Sequence, residues 1–397
     1  MSENVSKSPL NAAERAIAHK LKEVPRSGIR DFFEIVTSMK DVISLGIGEP
    51  DFVSPWHIRE HTIYALEHGA TSYTSNLGIP KLRKMLAKYI DRVFDLSYNP
   101  ETEILITVGV SEALDLAVRA ITNPGDEIIY HEPCYVSYRP LITLAHGVPV
   151  AIETRMEDGF RVTKEALEAA ITPKSKAIIL NYPNNPTGGY LPAEEARGIA
   201  ELAIKHDLIV ITDEIYAELT YDDTHVSIAS FPGMKERTIF LHGFSKAWAM
   251  TGFRVGYSCA PPALTDAMMK IHQYTMLCAP VLSQEAAIEA LKQPDKDIAV
   301  MKTAYQQRRN VVHKAFEEMG IPCRKPEGAF YAFPQISQFG MTSYDFAMKL
   351  LADQEVAAVP GTAFGACGEG FIRCSYATSM DQLKIAMERI ATFTRGL

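Results

Sequence analysis

The sequence has no CxxC pair, and its six cysteines stand far apart along 397 residues. Cys367 and Cys374, the closest two, lack the spacing of metal ligands. The composition argues against a disulfide scaffold, and the cysteines read as buried or incidental thiols in a reducing compartment. No apolar stretch reaches about 18 residues without a charge, so no membrane span is expected. The opening residues, MSENVSKSPLNAAERAIAHK, lack the apolar core of a secretory signal, and the expected compartment is the cytoplasm. Basic charge is also short: 40 Lys and Arg stand against 48 Asp and Glu, a net −8, which argues against nucleic-acid binding. Repeats, low-complexity tracts and long charge runs are absent too.

What remains is an ordinary globular composition, 47% apolar and 22% charged. At about 150 residues per domain, the length suggests two or three domains. Between about residues 100 and 260, short β-rich runs alternate with helical patterns, as in parallel βαβ units. The runs are EILITV (103–108), DEIIYH (126–131), KAIILN (176–181), LIVITD (208–213) and TIFLHG (238–243). Their near-continuous apolar character fits strands covered by helices on both faces. Leu114, Ala117, Val118 and Ile121 share one helical face after the first run. From about 285 the texture becomes α+β, with a long helical stretch, then AFYAFP and FIRCSYA. The last helix places Leu383, Ala386, Met387 and Ile390 on one face, with Ser379 and Gln382 spaced as a capping box.

In an open parallel sheet, ligands bind beyond the carboxyl ends of the strands, where following helices present free N–H groups. Four such ends carry chemistry. Gly109-Val110-Ser111 opens a helix after the first run and suits a phosphate, although taken alone the motif is better explained as a plain Ser N-cap. Tyr182-Pro183-Asn184-Asn185-Pro186-Thr187-Gly188 forms a rigid turn that can hold an amide in place, or is simply a turn. Asp213 ends a buried strand and needs a cation or strong donor, unless it caps the next helix. Ser245 and Lys246 follow the fifth run. A lysine desolvated there loses pKa and gains the nucleophilicity of a Schiff-base amine, whereas a lone Lys is ordinarily a solvated charge. The combination of phosphate cradle, amide, carboxylate and amine at four successive strand ends is what points to one crevice.

Two other motifs compete. His57-Ile58-Arg59-Glu60-His61 matches H-x-x-E-H, with two His on one helical face that could hold zinc. Ser54-Pro55 before it reads as N-cap and first helical residue, and no third ligand stands out. Gly109-Val110-Ser111-Glu112-Ala113 approximates a nucleophile elbow, with Asp213 and His242 in the chain order of a serine hydrolase. That reading leaves Asn185, Lys246, Arg254 and Arg373 without a role.

The segments SLGIGEPD (44–51), TSYTSNLGIPKLR (71–83), NYPNNPTGG (181–189), DEIY (213–216), GFSKAWAMTGFRVGY (243–257) and FIRCSYA (371–377) together resemble the pyridoxal-phosphate-dependent aminotransferases of class I/II. This is the fold-type-I family that includes aspartate and aromatic aminotransferases. The resemblance implies an α/β fold: a large domain on a mixed, mostly parallel sheet flanked by helices, plus a small α+β domain. The expected division is an N-terminal segment 1–48 packing with the small domain, a pyridoxal-phosphate (PLP) domain 49–285 and a small domain 286–397. Roles follow position by position. Lys246 would hold the cofactor and move the substrate's proton. Asp213 would pair with the ring nitrogen, and Asn185 and Tyr216 would hydrogen-bond the ring's phenolic oxygen. Tyr135 would stack on the ring. Gly109, Val110, Ser111, Ser245 and Arg254 would bind the phosphate, joined by Tyr73 from a partner subunit, which implies a homodimer. Arg373 would clamp the substrate α-carboxylate, with Gly48 and Asn185 lining the same pocket.

Two departures stand out. Gly243 replaces a hydroxyl that many relatives offer the phosphate, and HQYTMLCAP (272–280) lacks the Arg that dicarboxylate-specific members lend across the dimer. The second argues against strict aspartate specificity. The function implied is transfer of the amino group of an L-amino acid to a 2-oxo acid, 2-oxoglutarate being the expected acceptor. A PLP-dependent β-lyase and an acetyl-diaminopimelate aminotransferase are the alternatives on the same fold. Fusion to a DNA-binding domain, known for this fold in transcriptional regulators, is disfavoured because the segment before Gly48 is short and not notably basic.

Overall fold

Beyond a two-residue strand β1 (Ile43–Ser44), the apolar runs fold as β2 (Ile104–Thr107) and β3 (Glu127–Glu132). The next strand, β4 (Val148–Glu153), was not expected from the sequence. It forms the edge of the sheet, pairs only with β3, and contains Pro149 and mostly part-exposed side chains, so it lacks a core strand's pattern. The remaining runs become β5 (Ser175–Asn181), β6 (Ile209–Asp213) and β7 (Thr238–Gly243). A further strand, β8 (Gly256–Cys259), is too short to show a periodicity of its own. The computed structural model describes residues 12–24 and 41–397; residues 1–11 and 25–40 of the expected 1–48 segment lie outside the described residues.

The seven strands are ordered β2-β8-β7-β6-β5-β3-β4. All are parallel except β8, which runs antiparallel to both β2 and β7. The chemistry-bearing strand ends are therefore not successive: β8 stands between β2 and β7. Alternate residues explain the apolar runs. Leu105, Ile128, Ile179, Ile211 and Ile239 pack against helices Gly109–Ile121, Tyr138–Leu144 and Pro262–Thr275. On the opposite face, Ile106 and Phe240 meet helices Pro80–Phe94 and Val281–Ala290, while Ile178, Leu180 and Val210 meet Lys164–Ala170 and Ala193–Lys205. With both faces covered, neither set can be polar.

A second core gathers helices Pro294–Glu318, Ser343–Gln354 and Met380–Arg395 around short strands β9 (Tyr331–Ala332), β10 (Val356–Ala357), β11 (Val359–Pro360) and β12 (Ile372–Ser375). Strand β12 pairs antiparallel with β9 and β11, and β1 pairs parallel with β10. Leu383, Ala386, Met387 and Ile390 are all buried, and the Ser379 hydroxyl accepts the Gln382 N–H at 3.3 Å.

The entry to the helix Trp56–Glu67 differs from expectation by one residue. Pro55 is the cap, because the Ser54 hydroxyl instead donates to the Ala249 carbonyl at 2.6 Å. On this helix His57 lies 2.9 Å from Asp297 and 3.5 Å from Glu289, and His61 lies 3.4 Å from Glu285. The two histidines of the H-x-x-E-H pattern thus link this helix to Val281–Ala290 and Pro294–Glu318 through contacts with acidic side chains. Among the described residues, no group of three His, Cys, Asp or Glu is placed to hold a metal ion, and no helix is long and apolar enough to cross a membrane.

Candidate active site

A cleft of about 550 Å³ lies beyond the ends of β2, β5, β6 and β7, closed on its far side by Gly48, Tyr331 and Arg373. All of the candidate residues line it except Gly109, which lies directly behind it, and Tyr73. Tyr73 is 83% exposed on this chain.

One end is built for an anion. The helix Gly109–Ile121 starts at the end of β2, so the N–H groups of its first turn have no intrahelical acceptor. Gly109 takes φ +75°, and a Cβ there would fall 2.6 Å from Arg254 Nη2. The glycine therefore lets a guanidinium lie directly against the helix terminus. Arg254 itself is held in a left-handed conformation (φ 51°), its Nη1 donating to the Thr251 carbonyl at 3.0 Å. The hydroxyls of Ser111 and Ser245 complete the donor set.

Strand β8 explains the missing hydroxyl at position 243. Gly243 faces Gly256 across the β7–β8 pair. A Cβ at 243 would meet the Gly256 Cα and Val110 Cγ2 at 3.0 Å, and one at 256 would meet the Gly109 carbonyl carbon and the Val110 nitrogen at 2.7 Å. The paired glycines let the antiparallel strand slide beneath the helix terminus. Gly243→Ser is thus expected to cost stability, by about 1–3 kcal/mol from overpacking. Denaturant unfolding checks this; a stabilised variant with tighter phosphate binding would show that the space exists.

The centre of the cleft holds opposite charges. Asp213, at the end of β6, is only 5% exposed. Its Oδ2 accepts from the Tyr138 hydroxyl at 2.9 Å and its Oδ1 from the Ile215 N–H at 3.3 Å. Burial pushes its carboxyl up to about 6, while the two hydrogen bonds and His242 pull the other way. Asn181 ends the neighbouring strand β5 in register with Asp213. Its Nδ2 donates to the Asp213 carbonyl at 2.8 Å, and its Oδ1 accepts the Asn185 N–H at 3.2 Å. Across from them, Lys246 donates to the Gly48 carbonyl at 2.7 Å. Desolvation lowers its amine to about 8, opposed by Glu49 and assisted by the positive charges of Arg373 and Arg254.

The remaining wall is aromatic and cationic. The Tyr216 hydroxyl lies 2.9 Å from that of Tyr331. Arg373, on β12, sits 4.6 Å from the Tyr331 ring and 4.7 Å from the Phe364 ring. It donates to Asn185 Oδ1 at 2.9 Å and to the Gly46 carbonyl at 2.5 Å, while its Nε is buried with no partner. A Cβ on Gly48 would fall 2.7 Å from the Tyr331 hydroxyl, so only glycine leaves that wall intact. The half-buried Tyr135 lies edge-on to Tyr138, at 5.8 Å.

These residues fit a phosphorylated pyridine aldehyde: an anion cradle at one end, a desolvated amine and a buried carboxylate in the middle, and a guanidinium with an orphaned N–H at the other. They do not form a hydrolytic triad. His242 Nε2 lies 3.0 Å from Glu218, and its Nδ1 accepts the Gly243 N–H at 2.7 Å, so neither nitrogen serves Ser111. Sequence reasoning missed Asn181, Tyr138, Tyr331 and Glu49. Asn181 could have been found from its place at a strand end, directly before the Asn185 turn.

Comparison with known proteins agrees with this geometry. The sequence profile of the family described as Aminotransferase class I and II matches residues 40–390. A Bacillus subtilis (strain 168) relative, named as the aminotransferase YugH, is 53% identical, covering 94% of this chain and 97% of that one. A second relative from the same organism, named for N-acetyl-LL-diaminopimelate aminotransfer, is 43% identical over 96% of each chain. The crystal structure of the aromatic aminotransferase of Pyrococcus horikoshii OT3 superimposes with a TM-score of 0.88 at 42% identity, covering 93% of this chain and 99% of that one. The chain belongs to the class I and II aminotransferases, PLP-dependent transferases of the α/β fold described above.

Proposed function

We propose that the enzyme moves the amino group of an L-amino acid, aromatic, aspartate, glutamate or related, to 2-oxoglutarate in a ping-pong cycle. The observation that carries this is the convergence of Lys246, Asp213 and Arg373 on one cleft, with an anion cradle at its end. When bound there, the cofactor supplies an electron sink for the charge left on the substrate's α-carbon. Asp213 keeps the ring nitrogen protonated, Tyr135 covers the ring face, and Asn185 and Tyr216 face its phenolic oxygen. Gly109, Val110, Ser111, Ser245 and Arg254 hold the phosphate. Lys246, as a neutral amine, would take the proton from the substrate's α-carbon and return it two atoms along, on the far side of the substrate nitrogen. Arg373 binds the α-carboxylate in a bidentate fork beside Gly48 and Asn185.

The working form in this reading is a cytoplasmic homodimer, with the division 1–48, 49–285 and 286–397. The pairing of β1 with β10 supports the division, and the individually exposed aromatics Trp56, Tyr64, Tyr73 and Tyr274, the last 87% exposed, support the dimer. Tyr73 of such a partner completes the phosphate site. A second reading, acetyl-diaminopimelate as the amino-group carrier, is favoured by the 43% identical relative named for that reaction.

The test is the visible spectrum of the holoenzyme against a panel of donors. L-glutamate should bleach the absorbance and 2-oxoglutarate should restore it. Bleaching rates for L-tyrosine, L-aspartate and N-acetyl-LL-diaminopimelate then rank the donors. A chromophore that no L-amino acid bleaches would overturn the proposal.

A further inference from the structure

Asp213 is a buried charge whose partners decide what it can do. Its main-chain carbonyl is taken by Asn181, and one carboxylate oxygen by a backbone N–H. The other oxygen is reached by Tyr138, a fully buried residue on the helix Tyr138–Leu144, with its hydroxyl at 2.9 Å. The titratable groups that face the carboxylate are His242 on β7, Glu214 beside it in the chain, Lys246 beyond β7, and Tyr216. His242 is committed to Glu218 at 3.0 Å, and Glu214 to His225 at 2.6 Å. Tyr138 therefore supplies the side-chain hydroxyl that donates directly to the carboxylate. Burial and the nearby Asp213 push its phenol well above the usual tyrosine range, so it remains a neutral donor. The same turn, EPCYVSY, also carries Tyr135, whose ring stands edge-on to Tyr138.

We propose that Tyr138 is a positioning residue: by donating to Asp213 Oδ2 it fixes the carboxylate and weakens its basicity, so that the shared proton stays on the cofactor's ring nitrogen. The inference rests on the reading that Asp213 faces that nitrogen. The physics is direct. A carboxylate that loses a donor binds protons more tightly, and a hydrogen bond to a charged group is worth enough to move such an equilibrium about 10–100-fold.

The test uses holoenzyme loaded with PLP carrying ¹⁵N in the ring, followed by NMR between about pH 6 and 9. In Tyr138→Phe, which keeps the ring in place, the resonance should move toward that of unprotonated pyridine. Replacing Tyr138 with a fluorinated tyrosine, a stronger donor of the same shape, should move it the other way or leave it fully protonated. If Tyr138→Phe proves too unstable to load, a fluorinated variant that shifts toward the unprotonated value overturns the proposal by itself. Asp213→Asn is the control. If that change leaves the resonance unmoved, the Asp213 reading fails. If it moves the resonance while Tyr138→Phe matches the parent, only the role of Tyr138 falls.

Discussion

Lys246→Ala is expected to abolish turnover. The amine sits half-buried beside Asp213, bound to the Gly48 carbonyl at 2.7 Å, with the Tyr216 and Phe330 rings 5.8 and 5.6 Å away. On the proposed mechanism, removing it deletes both the covalent anchor of the cofactor and the group that moves the α-proton. A positioned proton-transfer group alone contributes about 10²–10⁴-fold, so kcat should fall by at least the upper figure. The variant should still fold, since no other buried side chain depends on the amine, and a melting temperature near the parent's checks that. The titration near 8 adds a sign. Only the neutral amine is a nucleophile, so the parent apoenzyme should capture PLP at a rate that climbs about tenfold per pH unit up to about 8 and then levels. An ordinary lysine would keep climbing past 10. The Ala variant should show no covalent capture at any pH, as followed by reduction with borohydride. Full turnover in that variant would dispose of the mechanism.

How much of this was legible in the sequence follows from geometry. Parallel strands all end on the same side of a sheet, so residues directly after apolar runs could be assigned to one crevice without coordinates. Asp213 and Lys246 were found this way, and Asn185 lies in the turn that follows such a run. The antiparallel β8 was invisible because four residues, Gly-Tyr-Ser-Cys, carry no period, yet it decides why positions 243 and 256 are glycines. The contact between Tyr216 and Tyr331 joins the large sheet's crevice to β9, and no local pattern encodes a pairing at that separation. Tyr138 was hidden for a different reason. On an amphipathic helix a buried tyrosine reads as core, and only the position of its hydroxyl reveals that it serves a carboxylate. The zinc pattern erred in the opposite direction: spacing put His57 and His61 on one face, as observed, but that face meets Glu285 and Glu289 of one helix and Asp297 of another. Spacing predicts which side chains share a face, not what the face meets.

Arg373→Lys is expected to raise KM for every amino donor by a similar factor. Arg373 already spends Nη1 on Asn185 and Nη2 on Gly46, and its orientation is set by the Tyr331 and Phe364 rings between which it lies. Its planar fork can keep such scaffolding bonds while presenting a flat edge to a carboxylate. A lysine is a point charge with three donors and cannot do both. With Arg373 as the proposed α-carboxylate clamp, one charge-assisted hydrogen bond to the substrate is lost, worth about 1.5–3 kcal/mol, which converts to about 10–100-fold in kcat/KM. The loss should fall mainly on KM if the α-carboxylate is held equally in ground and transition states. Asn185 Oδ1 and the Gly46 carbonyl also lose a buried donor, so the variant should melt lower. The decisive readout is the ratio between donors. Because the α-carboxylate is common to all of them, KM for L-tyrosine and for L-glutamate should rise together. A penalty confined to glutamate would mean that Arg373 reads the side chain, and that the α-carboxylate is bound elsewhere in the cleft.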